Sequence, residues 1–173
     1  DTYRALHPLL LLIQPERIDD MIASLLAKAD AGGWLPIFPS WNSYTTEMIG
    51  DHVISMITDA YVKGYRKFDT EKAFAYMKQN ATKTPKTYAE YADGKGRRAV
   101  LVQRELGYVP LEHPVKEAFH QQEQVSRTLE YAYDDFCLSE FAQMLGMETD
   151  ATDFREQAFN YENVFDASVG FMR

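Results

Sequence analysis

Cysteine is almost absent. Cys137 is the one thiol in 173 residues, so an internal disulfide is excluded, no second thiolate exists for a zinc site, and a buried structural thiol is expected. Long apolar runs are missing too. The longest, Leu9 to Ile13, is far short of the ~20 residues a membrane helix needs, and Arg4 and His7 precede it, so no membrane span is expected. Lysine and arginine never cluster. Acids and bases are mixed along the whole chain at a formal net charge of -8, and a phosphate backbone would find no dense cationic run, which argues against a nucleic-acid partner. No β-branched stretch alternates with period two, and the Asp93-Gly94 pair sits in polar surroundings, so a sheet is not expected. The absence of a fixed-period repeat excludes a regular solenoid. The chain opens at Asp1 without methionine or leader and stops on Phe171-Met172-Arg173 just after a turn-like Asp166 to Gly170. Both ends therefore read as cut, with any targeting signal outside.

What is present is an apolar content of 46%, enough for one domain with a real core, and helical periodicity in most segments. Asp1 and Thr2 are candidate caps for a first helix carrying Leu6, Leu9, Leu10 and Ile13, with Pro8 expected to kink or delay it. Pro15 suits the first turn of a second, striped by Ile18, Met21, Ile22, Leu25 and Leu26 and ended by Gly32-Gly33. Met48, Ile49, His52, Val53, Met56, Ile57 and Ala60 trace a third, closed by Gly64. Asp69 is placed to cap a fourth. From Asn80 to Gly107 the pattern weakens to an exposed connection with a short helix around Val100 to Leu106. The strongest helix runs from Glu123 to Leu145 before Gly146, and a last one starts near Thr149 or Asp150. The expected fold class is all-α, with antiparallel helical hairpins of the kind that build an α/α toroid.

Three constellations mix aromatics with charge: Asp1-Thr-Tyr-Arg4 with His7-Pro8; the loop from Ala31 to Thr45 with the Ile49-Gly-Asp-His52 that follows; and Thr128 to Asp135. Sugars are gripped by rings that cover their C–H faces and by carboxylate and guanidinium groups that hydrogen-bond paired hydroxyls, so such composition fits a carbohydrate site. Trp34 and Trp41 are candidate platforms, with Pro36 and Pro39 stiffening the loop; the alternative is that both indoles simply pack it down. On successive helical positions Asp51 and His52 would diverge by about 100°. His52 is therefore either a buried hydrogen-bonded histidine or a ligand contact, and Asp51 a surface acid near a helix start or a pocket acid. Asp134 and Asp135 are adjacent and make a poor catalytic dyad. Glu130 and Asp134 share a face, where an ion-paired network with Arg127 is the plainer reading. Asp19 and Asp20 read as a solvated first turn.

The wording of these motifs resembles a known family. Asp1-Thr-Tyr-Arg-Ala-Leu-His-Pro8, Gly33-Trp34, Phe38-Pro39, Trp41-Asn-Ser-Tyr44, Met48-Ile-Gly-Asp-His-Val-Ile-Ser55, Arg127-Thr-Leu-Glu-Tyr-Ala-Tyr-Asp-Asp135 and Phe171-Met-Arg173 occur in the order seen in glycoside hydrolase family 92. The resemblance covers nearly the whole chain and is thinnest from Thr82 to Gln122. It implies an inverting, calcium-dependent exo-α-mannosidase acting on terminal α-mannosyl residues of glycans, secreted or periplasmic. Residues 1–173 would be roughly the first half of its (α/α)6 catalytic domain, with the N-terminal β-sandwich and the rest of the barrel absent. By the same resemblance Asp1 bonds mannose hydroxyls. Because an exo-acting site must grip one terminal sugar from several sides, and in a helical toroid only helix ends and loops reach a common mouth, the expected substrate-binding set is Asp1, Arg4, Trp34, Trp41, Asp51 and His52, converging at one end of a helical arc. The catalytic acid and base belong to downstream motifs, the calcium ligands mainly to the missing half, and the 173 residues alone are expected to be inactive. Two alternatives stand beside it: another (α/α)6 glycosidase of the glucosidase or trehalase type using Asp134 or Glu130, and a helical interaction module presenting Trp34 and Trp41 to a protein.

Overall fold

The computed structural model describes residues 2–173; the expectations for Asp1 lie outside the described residues. Eight α-helices are found among them: α1 (Leu6–Ile13), α2 (Ile18–Gly32), α3 (Val53–Val62), α4 (Thr70–Thr82), α5 (Tyr88–Ala92), α6 (Val100–Leu106), α7 (Gln124–Met144) and α8 (Glu148–Ala158). The only strands in these residues form a minimal antiparallel hairpin, β1 (Phe165–Asp166) and β2 (Phe171–Met172), pairing Phe165 with Met172. The turn-like Asp166 to Gly170 is its tip.

Local chemistry explains most boundaries. α1 runs unbroken through Pro8, which falls within the first turn, where no intrahelical donor is required. Pro15 opens a 3-10 turn, Pro15–Arg17, that leads into α2, and Gly33 ends α2 in the left-handed conformation at φ 82. The Asp69 carboxylate accepts from the Lys72 amide at 2.9 Å and starts α4. Two corrections follow from the same chemistry. The third helix begins at Val53 and not at Met48, because Gly50 at φ +85 cannot lie in a right-handed helix. The connection after Asn80 contains α5, whose start is a reciprocal capping box: Thr87 accepts from the Glu90 amide while Glu90 accepts from the Thr87 amide. That Thr-x-x-Glu spacing was readable. The cap expected near Thr149 or Asp150 is also displaced, since α8 follows Met147 and has no side-chain cap.

α7 is the hub, packing against α3, α4 and α8, while α2 rests on α4 and α1 on α3. The core gathers Ile22 and Leu26 of α2, Ile54 and Ile57 of α3, Phe74 and Met77 of α4, Leu138 and Phe141 of α7 and Phe154 of α8. Burying each such side chain is worth roughly 1.5–3 kcal/mol. Tyr61 and Phe141 meet with ring centroids 4.7 Å apart. Cys137 is buried, as expected of a lone structural thiol, and burial pushes its thiol up to about 12. No helix among the described residues is long and apolar enough to cross a membrane.

Candidate functional site

The loop after α2 presents its two indoles in opposite ways. Trp34 is 6% exposed and Leu35 fully buried; the Tyr44 hydroxyl donates to the Trp34 carbonyl at 2.7 Å and fixes the backbone there. Trp41 is 82% exposed at the tip of a tight turn closed by reciprocal Ser40–Ser43 backbone bonds of 3.2 and 2.9 Å. Trp41 and Asn42 both take positive φ, 49 and 58, a conformation that costs a non-glycine residue of order 1–2 kcal/mol. The turn is tied down by the Ser43 hydroxyl, which donates to Asp93 at 2.6 Å.

Gly50 then reverses the chain before α3. A β-carbon there would run into the His52 imidazole and approach the Glu130 β-carbon to 3.2 Å, so both the positive φ and the space demand glycine. As the pair leads into the helix instead of lying along it, the Asp51 amide and the His52 ring both reach Asp134. The amide donates to Oδ2 at 2.7 Å, and Nδ1 stands 3.2 Å from Oδ1. The other ring nitrogen, Nε2, faces Glu130 at 3.3 Å.

Glu130 and Asp134, one turn apart on α7, therefore grip the histidine from both sides. Glu130 also accepts from the Tyr3 hydroxyl at 3.1 Å and from Arg4 at 2.8 Å. The Tyr3 ring lies on the imidazole, centroids 4.0 Å apart and nearly parallel, and the Arg4 guanidinium lies over the Tyr3 ring at 4.8 Å. Burial, then the neighbouring Glu130 carboxylate, raise the Tyr3 phenol above its ordinary range. Arg127, expected as a partner of this face, points elsewhere and donates to the His120 carbonyl at 2.7 Å.

Behind the histidine lies a second, fully buried layer. Arg97 donates through Nε to Asp51 at 3.3 Å and through Nη1 to Asp135 at 2.7 Å, with its guanidinium over the Tyr131 ring at 4.8 Å. Asn80 donates to Asp51 at 3.3 Å and to the Leu35 carbonyl at 3.1 Å. Desolvation raises the Asp51 and Asp135 carboxyls to about 6 each; Arg97 pulls both down, and the Asp134 charge adds to the rise.

Two hollows flank this network. One, of about 580 Å³, is lined by Tyr3, His7, the Pro36–Pro39 stretch, Met48, Ile49 and His52. The other, of about 750 Å³, is lined by Tyr3, Arg4, Glu130, Tyr133, Phe136 and Cys137. Tyr3 forms part of the wall of both. Of the expected binding set, Arg4 and His52 meet on Glu130, and Asp51 sits directly behind them without exposure. Neither Trp34 nor Trp41 lines either of these two hollows, although Phe38 and Pro39, just before Trp41, line the first. Tyr3 and Arg97 were not singled out by sequence reasoning; an Arg-Arg pair inside a weakly patterned connection carries no periodic signal. Calcium fits poorly in these residues. No group of three or more His, Cys, Asp or Glu among them could hold a metal, and the buried carboxylates are taken by Arg97, Asn80 and backbone donors and not left open as a cage of oxygens.

Comparison with known proteins places this geometry in context. The model of the glycosyl hydrolase family 92 catalytic domain matches residues 1–173. A family 92 inverting mannosidase of Bacteroides thetaiotaomicron is 33% identical and superposes with a TM-score of 0.86, covering 99% of this chain and 22% of its own. A family 92 α-mannosidase from the same organism, solved in complex with mannoimidazole, is 36% identical with a TM-score of 0.81, covering 100% and 21%. An uncharacterized secreted glycosidase of Arthroderma benhamiae is 26% identical over 137 residues, 78% of this chain and 17% of the relative. The chain thus spans about a fifth of the length of these relatives.

Proposed function

The chain belongs to glycosyl hydrolase family 92, and from that premise we propose that it is part of the catalytic domain of an inverting exo-α-mannosidase that releases terminal α-mannose from glycans. The carrying observation is the likeness over the whole chain to an inverting mannosidase at a TM-score of 0.86. The helices would be about half of an (α/α)6 toroid whose mouth holds the sugar, joined to a β-sandwich. Asp1 and Arg4 would hold the terminal mannose, His52, with a carboxylate beside each ring nitrogen, would brace the site beneath Tyr3, and Trp41 would offer a face to the next sugar. Asp51 and Trp34, both buried, would support them from behind.

The general acid and base of an inverting mechanism stand roughly 6.5–9.5 Å apart across the scissile bond with a water between them. No carboxylate of the network is free for that role: Glu130 serves Tyr3, Arg4 and His52, and Asp51, Asp134 and Asp135 are sealed in. Acid and base would therefore come from other parts of the enzyme, as would the calcium ligands, and these 173 residues alone would be inactive. Calcium, when bound, would supply a cation that orients and polarises sugar oxygens. The secreted relative favours a place outside the cytoplasm.

Turnover of an aryl α-mannoside by the full-length enzyme tests this reading, with the first-formed anomer followed by NMR. β-Mannose appearing first supports it; α-mannose first, or no turnover with calcium present, overturns it. Asp1→Ala in that enzyme is expected to lower kcat/KM about ten- to a hundredfold, the worth of a charge-assisted hydrogen bond to a buried hydroxyl.

A further inference from the structure

A motif with chemistry of its own closes α4. Asn80-Ala81-Thr82 is the one Asn-x-Ser/Thr triplet in the 173 residues, the pattern that marks an asparagine for N-glycosylation and that in exported proteins belongs on a surface loop. Here it lies in the interior. Asn80 and Ala81 are fully buried, and both hydrogens of the Asn80 amide are in use: Nδ2 donates to the Leu35 carbonyl at 3.1 Å and to Asp51 Oδ1 at 3.3 Å. Through this amide α4 is tied to the loop after α2 and to the carboxylate whose other oxygen Arg97 holds at 3.3 Å. Thr82 is only half-buried, and its hydroxyl bonds the Lys78 carbonyl one turn back at 2.6 Å.

N-glycosylation would exchange one of those amide hydrogens for a glycan. The nitrogen attacks the anomeric carbon of a lipid-linked oligosaccharide; an N–C bond forms, the sugar–phosphate bond breaks, the lipid pyrophosphate leaves and the nitrogen gives up a proton. The single hydrogen left cannot serve both Leu35 and Asp51. An acceptor buried without its donor keeps the full cost of its desolvation, and Asp51 is already sealed from water. Space is lacking as well, because a fully buried side chain sits at crystal-like packing density, whereas one sugar ring has the bulk of an aromatic side chain. Burial in the finished fold is no protection, since transfer to a nascent chain meets the triplet while it is still unfolded.

We propose that Asn80-Ala81-Thr82 is a glycosylation site that the fold cannot accept: a glycan attached there unhooks α4 from Leu35 and Asp51 and keeps the chain from folding. This sequence is therefore suited to export by a route that does not glycosylate its nascent asparagines.

The test compares the full-length enzyme made in a bacterial cytoplasm with the same enzyme secreted through the endoplasmic reticulum of a yeast, with occupancy of Asn80 read by peptide mass mapping. Glycan is expected on Asn80 in the retained, insoluble yeast material and not in the secreted, folded enzyme. Thr82→Val removes the hydroxyl that the transferase requires and leaves Asn80 in place; it is expected to raise the secreted yield several-fold and to leave the bacterial yield unchanged. Asn80→Gln deletes the triplet too, but its longer chain misplaces the amide, so the unfolding midpoint of the bacterial product is expected to fall by several degrees. Activity is not the readout, and a failure of the mannosidase reading would leave these outcomes untouched. Folded, secreted enzyme carrying glycan on Asn80 overturns the proposal, as does a secreted yield for Thr82→Val within about twofold of the parent's. An Asn80→Gln enzyme as stable as the parent overturns it as well, because the amide would then not be what holds α4 in place.

Discussion

Over its first three turns, from Gln124 to Asp135, α7 buries Arg127, Thr128, Asp134 and Asp135 among polar partners from three other segments. From Phe136 to Met144 it buries Leu138, Phe141 and Ala142 among apolar side chains. The same helix thus solves burial twice. The apolar end is held by contact area, which is tolerant of small changes because neighbours can partly relax. The polar end is held by partners, and a buried charge that loses its partner has nowhere to relax to. The two hollows open beside the polar end, where geometry matters more than stability.

Breaking this contrast at its strongest point means removing Arg97, whose guanidinium reaches both Asp51 and Asp135. Arg97→Met is expected to cost about 3–5 kcal/mol or to prevent folding, since it leaves desolvated carboxylates uncompensated. Urea denaturation of the full-length enzyme measures it; a loss under about 1 kcal/mol would mean the layer is not held by charge. In the apolar half, Leu138→Ala is expected to cost about 2–4 kcal/mol from lost transfer energy and the cavity left behind. Its effect should be the same at every pH between 4 and 7.

The polar half should respond to pH instead. Asp51 and Asp135 have folded pKa values raised from 3.8 to about 6, so the folded state binds their protons more tightly than the unfolded state does. Their contribution is most favourable below the unfolded value and is lost as pH rises through about 6, with no further change above. The unfolding free energy is therefore expected to fall between pH 4.5 and 7, and the slope to flatten in an Asp51→Asn, Asp135→Asn double variant. A slope identical to the parent's would remove these two carboxyls as its source. Gly50→Ala sharpens the comparison locally: with positive φ and no room beside His52, it is expected to cost about 1–2 kcal/mol and to move the His52 ring signals in NMR spectra. The smallest effect belongs to the solvent-exposed Asp59–Lys63 pair at 2.7 Å on α3. Lys63→Ala should change stability by less than about 0.5 kcal/mol, as surface ion pairs do.

The helices were legible because their apolar spacing repeats within each segment, and α2, α4, α6 and α7 lie close to where Ile18–Leu26, Asp69, Val100–Leu106 and Glu123–Leu145 pointed. α5 escaped notice although Thr87 and Glu90 spell its cap. The third helix was begun too early because Met48 and Ile49 continue an apolar stripe that Gly50 interrupts. At the site, Arg4, Asp51 and His52 stood out by their company. The alternative of two packing indoles holds for one of them: Trp34 is buried and Trp41, at the tip of the Ser40–Ser43 turn, is not.

Local composition was enough for the helical class, for the caps at Asp69 and Gly33, and for the motif order that marks the family, because these depend on neighbours a few residues away. It could not reveal that Glu130 is shared by residues 126 and 127 positions earlier, or that Arg97, in an unpatterned connection, closes the buried layer beneath Asp51. Such partnerships form across the fold, where side chains distant in sequence are brought into a space without water, and there a charge is stable only in the company that packing supplies.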